Sequence, residues 1–100
     1  MSKIPKWLQP TLWSVKVGNL DLQEDKIYII NQVLAYGGIR DLKWLFSNYD
    51  LPAIKDIFLN HPIKTYRAST FDFVKEILLD LDKTDLVKEK YVVNTPRVIR

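Results

Sequence analysis

Apolar residues recur every three to four positions through most of the chain, which is the spacing of one face of an α-helix. Helix-breaking residues divide this pattern into four main segments. We therefore predict four helices and one further short helix, over residues 21–36, 39–49, 51–60, 69–81 and 83–90. The pattern indicates an all-α fold, a compact bundle of four main helices.

Residues at the ends of these segments support the predicted boundaries. Asp21 and Ser69 each stand three residues before an acidic residue, as in a capping box. Asp50 precedes a proline, which is favoured in a first helical turn. Gly37 begins a pair of glycines, and we expect a glycine here to close the first helix in the left-handed conformation.

The apolar positions also predict which helix faces are buried. The first helix has an apolar arc too broad for one contact face, so we predict that it lies centrally and packs on several sides. The arc comprises Ile27, Ile29, Ile30, Val33, Leu34 and Tyr36. The inward stripes of the next three helices comprise Ile39, Leu42, Leu45, Phe46 and Tyr49, then Ile54, Ile57 and Phe58, then Phe71, Val74, Ile77, Leu78 and Leu81.

An aromatic N-terminal arm, residues 1–20, precedes the first helix. It contains Trp7 and Trp13, and its prolines keep it from forming a regular helix. Trp44 lies on the outward face of the second helix. We predict that the extended arm packs across the bundle and is buried together with Trp44. The alternative is that the three tryptophans form an exposed patch for a protein partner.

Charge separates the C-terminal segment from the rest of the chain. The 100 residues carry a net charge of +3, and all of this excess lies in residues 83–100. We predict one domain over residues 1–90 and an extended tail over 91–100, suited to adding a strand to a partner's sheet edge. The alternatives are that the tail folds back on its own bundle or is disordered. The candidate partner-binding residues of the tail are Tyr91, Val93, Arg97 and Arg100.

Few residues have a pattern that points to chemistry. Cysteine is absent, and His61, the single histidine, has no neighbouring ligands at metal-binding spacing. The chain also lacks a glycine-rich phosphate loop and a serine with a recognisable base. We therefore predict no catalytic, cofactor-binding or metal-binding residue and a non-enzymatic protein. Without a signal peptide or a membrane-spanning apolar stretch, a cytoplasmic location is expected.

The segment ILLDLDKTDL resembles the nucleophile motif of haloacid-dehalogenase-type phosphatases, with Asp80 as nucleophile and Asp82 as acid/base. In that family the motif follows a β-strand. Here the preceding residues have helical periodicity, and we interpret the two aspartates as the solvated end of a helix.

DNA binding is an alternative function. The predicted helices 39–49 and 51–60 are joined by a tight turn, as in a helix-turn-helix DNA-binding regulator. The second of these helices has Lys55 as its only basic residue, which makes it a poor reader of DNA. A better set for phosphate contacts comprises Lys64, Arg67, Ser69 and Thr70.

Over residues 4–81, the chain resembles a small prokaryotic family of uncharacterised helical domains. The stretches that carry the resemblance are IPKWLQPTLWSV, IINQVLAYGGIRDLKWLFSNY, AIKDIFLN and RASTFDF. Genes of that family often neighbour a nucleotidyltransferase-type toxin, so the resemblance implies an antitoxin or accessory role. The expected function is thus a protein-binding module, antitoxin-like by resemblance.

Overall fold

The structure, a computed structural model, describes residues 4–81, 86 and 90–92. Within this part of the chain the regular structure is helical, which confirms the predicted all-α fold. The α-helices are α1 (Lys26–Tyr36), α2 (Ile39–Asn48), α3 (Leu51–Asn60) and α4 (Ala68–Phe73). A π-helical segment, Val74–Leu78, continues α4, and 3-10 turns occur at Lys6–Leu8 and Val17–Asn19. Most of the predicted short helix 83–90 lies outside the described residues.

Helix α1 is the centre of the bundle, as its broad apolar arc predicted. It packs against both α2 and α3. All seven residues from Ile29 to Ala35 are buried, including the polar Asn31 and Gln32. Only the ends of the arc differ from the prediction, since the Ile27 and Tyr36 side chains are exposed. A helix buried on several sides holds the other helices in place around it.

Helix α1 begins at Lys26, five residues later than predicted. The Asp21 carboxylate does accept backbone N–H bonds, from Gln23 at 2.9 Å and Glu24 at 2.8 Å. The Asp25 carboxylate in turn accepts the N–H of Asp21 at 2.8 Å. These local bonds give the backbone an alternative to the helical pattern. The two aspartates therefore close a turn before the helix rather than starting it.

Gly37 ends α1 for a steric reason and not by adopting the left-handed conformation. Its φ is −73°, so the prediction of a left-handed glycine is wrong. A Cβ atom at this position would lie 2.6 Å from the carbonyl oxygen of Val33 and 2.9 Å from Cβ of Asp41. Glycine is needed because α1 and α2 approach each other closely at this corner.

The N-terminal arm packs across the bundle, as predicted. It buries four aliphatic side chains in the core: Ile4, Leu8, Leu12 and Val17. Thr11 ties the arm to two helices, because its carbonyl accepts the Gln32 side-chain amide at 3.1 Å and its hydroxyl donates to Asp41. The Asp41 carboxylate also accepts the N–H of Gly38 at 3.3 Å, at the start of α2. The arm is therefore part of the fold.

The inward faces of α2 and α4 differ from the predicted stripes at particular positions. Ile39, the first residue of α2, is 71% exposed, and Ile77 is 69% exposed. Leu79 is fully buried instead of Ile77. A π-helical turn contains more residues than an α-helical turn, so the side chains that follow α4 rotate away from the predicted face. Ser69 lies inside α4 and does not cap it, since Arg67 is the N-cap residue.

Tyr91 lies in the core, which corrects its assignment to a partner-binding tail. Its ring is 4.8 Å from the rings of both Phe58 and Phe71, and Tyr66 completes this aromatic cluster. The Tyr91 hydroxyl donates to the Phe58 carbonyl at 2.6 Å, and Val92 forms an isolated parallel bridge with Tyr66. Burial raises the pKa of the Tyr66 and Tyr91 hydroxyls. This part of the chain folds back on its own bundle, one of the alternatives considered for it.

Asp80 follows the π-helical segment with a φ of 53°, in the left-handed region that favours glycine. Its side chain is exposed, so the backbone conformation dominates the effect of a substitution. We expect Asp80→Gly to be more stable than Asp80→Ala by about 1 kcal/mol, because a Cβ is unfavourable in this region. Urea unfolding of both variants measures the difference. Equal stabilities would contradict the left-handed assignment.

Candidate functional site

The three tryptophans lie in three different places, so the prediction that they are buried together is wrong. Trp7 is half-buried under the Arg40 guanidinium, whose carbon lies 3.9 Å from the ring centroid. Trp44 is half-buried and meets the edge of Tyr49 at 6.4 Å. Trp13 is 63% exposed. It follows the fully buried Leu12, and the geometry that turns Leu12 into the core leaves its neighbour on the outside.

Trp13 belongs to an exposed apolar surface that extends over three elements. We define this aromatic surface as Trp13, Tyr36, Phe73 and Ile77. Trp13 and Tyr36 contact each other edge to face, with ring centroids 6.5 Å apart. Tyr36 and Phe73, which are 43% and 47% exposed, line the same groove. Ile77 follows Phe73 by four positions, a spacing that brings side chains together on a helix. The alternative prediction, an exposed patch, is therefore met by Trp13 but not by Trp7 or Trp44.

A groove of about 370 Å³, open to solvent, lies at the centre of the aromatic surface. The C-terminal end of α1, residues 34–37, forms one wall, and Leu42 of α2 contributes to it. Ser69, Thr70 and Phe73 of α4 form the opposite wall. The groove thus combines an apolar lining with two hydroxyl groups on one side.

Hydrogen bonds fix the aromatic side chain in the wall of this groove. The Tyr36 hydroxyl donates to the Thr65 carbonyl and accepts from the Thr65 hydroxyl, both at 3.1 Å. The Trp13 ring contacts it from the arm. A side chain that is already ordered loses little conformational entropy when a ligand packs against it. The groove is preorganised on its Tyr36 side.

A second open groove, of about 440 Å³, lies between the start of α1 and the junction of α2 with α3. Tyr49 is its most buried wall, and the Tyr49 hydroxyl donates to the Leu22 carbonyl at 2.7 Å. Burial, together with the negative charges of Asp21 and Asp25, raises the pKa of Tyr49. The tyrosine therefore acts as a neutral structural donor. We assign no chemistry to this groove.

The residues predicted for phosphate contacts border the aromatic surface. Lys64, Arg67 and Ser69 are exposed, and Thr70 is half-buried. Ser69 and Thr70 line the groove described above. Sequence reasoning therefore located one wall of the groove, although it assigned that wall a different ligand.

Tyr36, Phe73 and Ile77 were missed as surface residues. Helical periodicity placed Tyr36 and Ile77 on buried faces, and only the structure shows that they end outside. Phe73 did carry a signal, since it falls outside the predicted inward stripe of the fourth helix. Val93, Arg97 and Arg100, the other candidates in the tail, lie outside the described residues.

The structure gives no support for the chemical motifs. The residues before Asp80 are π-helical and not a strand, while Asp82 lies outside the described residues. In the part of the chain that is described, no group of three His, Cys, Asp or Glu side chains could hold a metal ion. His61 is an exposed C-cap residue of α3. Among the described helices, none is long and apolar enough to cross a membrane.

Fold and surface together define a small all-α domain with an exposed aromatic groove. The chain belongs to DUF6922, a family of unknown function, whose model matches residues 7–58. This match spans most of the arm and continues into α3, so it includes Trp13 and Tyr36 but not the α4 wall. No curated protein and no solved structure matches the chain significantly.

Proposed function

We propose that the protein is a non-enzymatic, cytoplasmic protein-binding module that acts as the accessory partner of a co-encoded protein. The aromatic surface is the observation that carries the proposal. Aromatic side chains dominate the binding energy of many protein interfaces, and they cluster near the interface centre. Here two exposed aromatic rings flank one groove and a third contacts the first of them. Such clustering is typical of an interaction site, whereas scattered exposed apolar residues are ordinary.

The resemblance noted in the sequence suggests which partner to test first. A nucleotidyltransferase-type toxin encoded beside the gene would make this protein antitoxin-like. The aromatic surface is suited to cover an apolar patch on such an enzyme. In this proposal the partner's identity rests on the resemblance, and the binding mode rests on the surface.

Protein binding is better supported than helix-turn-helix DNA binding. Helix α3 would have to read the DNA, yet its exposed side chains include Leu51, Asp56 and Asn60, and Lys55 is half-buried. Phosphate neutralisation by lysine and arginine supplies most of the affinity of such proteins for DNA. An exposed helix face with an acidic residue and little positive charge offers few such contacts.

Co-expression with the neighbouring gene product, followed by affinity measurement, tests the proposal. We expect the double variant Trp13→Ala/Phe73→Ala to weaken binding at least about 100-fold, since interface aromatics often contribute about 2 kcal/mol or more each. Its stability should change by only about 1 kcal/mol, because both side chains are exposed.

Leu51→Ala is the matched control, because Leu51 is also an exposed apolar residue but lies on α3. We expect it to bind like the unmodified protein. Wild-type affinity in the Trp13→Ala/Phe73→Ala variant would refute a role of the aromatic surface. Salt-sensitive binding to duplex DNA without any protein partner would favour the regulator instead.

A further inference from the structure

We infer that the partner presents an acidic amphipathic segment, whose apolar side chains fill the groove between Tyr36 and Phe73 and whose carboxylates meet Lys64 and Arg67. This inference rests on the proposed function and adds the chemistry of the bound segment. It follows from the lining of the groove and from the charges along one of its ends.

The lining selects apolar side chains. Leu34 and Ala35 are buried at the foot of one wall, and Leu42 is half-buried beside them. Tyr36 and Phe73 project from opposite walls and remain partly exposed. Burying these side chains under a partner is favourable by about 25 cal/mol for each Å² of apolar surface removed from water. A segment with only polar side chains would leave that gain unused.

Two cations stand at the Tyr36 end of the groove. Lys64 is exposed and directly precedes Thr65, the residue that holds the Tyr36 hydroxyl. Arg67 is exposed and is the N-cap residue of α4, two positions before Ser69 in the opposite wall. Both positively charged side chains are therefore anchored beside residues that touch or line the groove.

The acids near the groove do not cancel this charge. Asp41, which precedes Leu42, is half-buried and already accepts hydrogen bonds from Thr11 and from the Gly38 backbone. Glu76 is exposed but lies in the π-helical segment next to Ile77, beyond Phe73. The positive end of the surface is thus the Lys64 and Arg67 end, and a partner segment with its acids at that end fits best.

A single-stranded nucleic acid could also use exposed aromatic rings beside cations. Two observations favour a peptide. Residues 1–82 carry equal numbers of acidic and basic side chains, so the domain lacks the broad positive field that draws nucleic acid. The Tyr36 ring is already held by Thr65 and Trp13, with an apolar groove beside it that suits aliphatic side chains.

Selection from a phage-displayed library of random 12-residue peptides, with the full chain immobilised, tests the inference. We expect the enriched peptides to combine Asp or Glu with large apolar residues. A synthetic copy of the best peptide should bind at least about tenfold more weakly to Lys64→Glu/Arg67→Glu, because like charges would then oppose each other. The affinity for the unmodified chain should fall as salt rises.

Lys16→Glu/Lys26→Glu is the matched control, with the same change in net charge. Both residues are exposed, and Lys26 begins α1 about 15 Å from Tyr36 at its end. We expect this variant to bind the peptide like the unmodified protein. Circular dichroism and melting temperature, measured for both double variants, identify any loss of folding.

Several results would overturn the inference: no enriched peptides, enriched peptides without acidic residues, an unchanged affinity of Lys64→Glu/Arg67→Glu, or tighter binding of a 15-residue oligothymidylate than of any peptide. The charge-reversed variant also separates the two proposals when it is tested with the co-encoded partner. If only Trp13→Ala/Phe73→Ala loses that partner, the proposed function stands and the acidic segment is wrong. If neither variant loses it, both proposals fail.

Discussion

Replacing Tyr91 by alanine is expected to lower the free energy of unfolding by about 3–5 kcal/mol, the usual cost of removing a large buried aromatic side chain. Only 1% of Tyr91 is exposed, and its ring packs against Phe58, Phe71 and Tyr66. The substitution would leave a cavity inside the aromatic cluster, next to α3. Urea unfolding followed by circular dichroism measures the change.

Tyr91→Phe is the control for this prediction. It keeps the ring and removes only the hydroxyl, which donates to the Phe58 carbonyl. We expect a loss of about 1 kcal/mol, the net contribution of one hydrogen bond. If Tyr91→Ala cost no more than Tyr91→Phe, the ring would contribute nothing, and Tyr91 would not be a core residue.

This cluster shows what the local sequence pattern could not predict. Tyr91 is adjacent to a basic, β-branched segment, and charge alone indicated a tail separate from the bundle. Its burial depends on contacts with Phe58 and Phe71, which are 33 and 20 residues away along the chain. Periodicity within one helix carries no information about such distant partners.

Where one helix face decides the outcome, the sequence was sufficient. The bounds of α3 and the burial of its Ile54, Ile57 and Phe58 agree with the apolar spacing. The same reasoning failed where another local interaction competed with the α-helical pattern. The turn closed by Asp21 and Asp25 delays α1, and the π-helical segment exposes Ile77 in place of Leu79.

The aromatic surface was predictable only in part. Trp13, Ser69 and Thr70 were candidates from the sequence, but for separate sites. The structure brings them together because the arm crosses α1 beside Tyr36 and because α4 lies against the end of α1. Which aromatic side chains stay exposed follows from this packing, and hydrophobicity alone assigns all of them to the core.

Replacing Asn31 by leucine is expected to lower the free energy of unfolding by about 2–4 kcal/mol, although leucine is apolar and similar in volume. Asn31 is fully buried in α1 and uses both ends of its amide. Its nitrogen donates to the carbonyls of Ile27 and His61, and its oxygen accepts from the Tyr66 hydroxyl, all at 2.9 Å. Leucine would leave the buried Tyr66 hydroxyl and the His61 carbonyl without this partner, and each such group costs about 1–3 kcal/mol.

A double-mutant cycle with Tyr66→Phe tests the physical reason for this loss. In the Asn31→Leu/Tyr66→Phe variant no hydroxyl remains to be left without a partner, so part of the cost of Asn31→Leu should disappear. We expect the two single losses to exceed the double loss by about 0.5–3 kcal/mol, the range for side chains in direct contact. Additive losses would show that Asn31 and Tyr66 act independently, and the hydrogen bond between α1 and Tyr66 would then contribute nothing to the packing of the bundle.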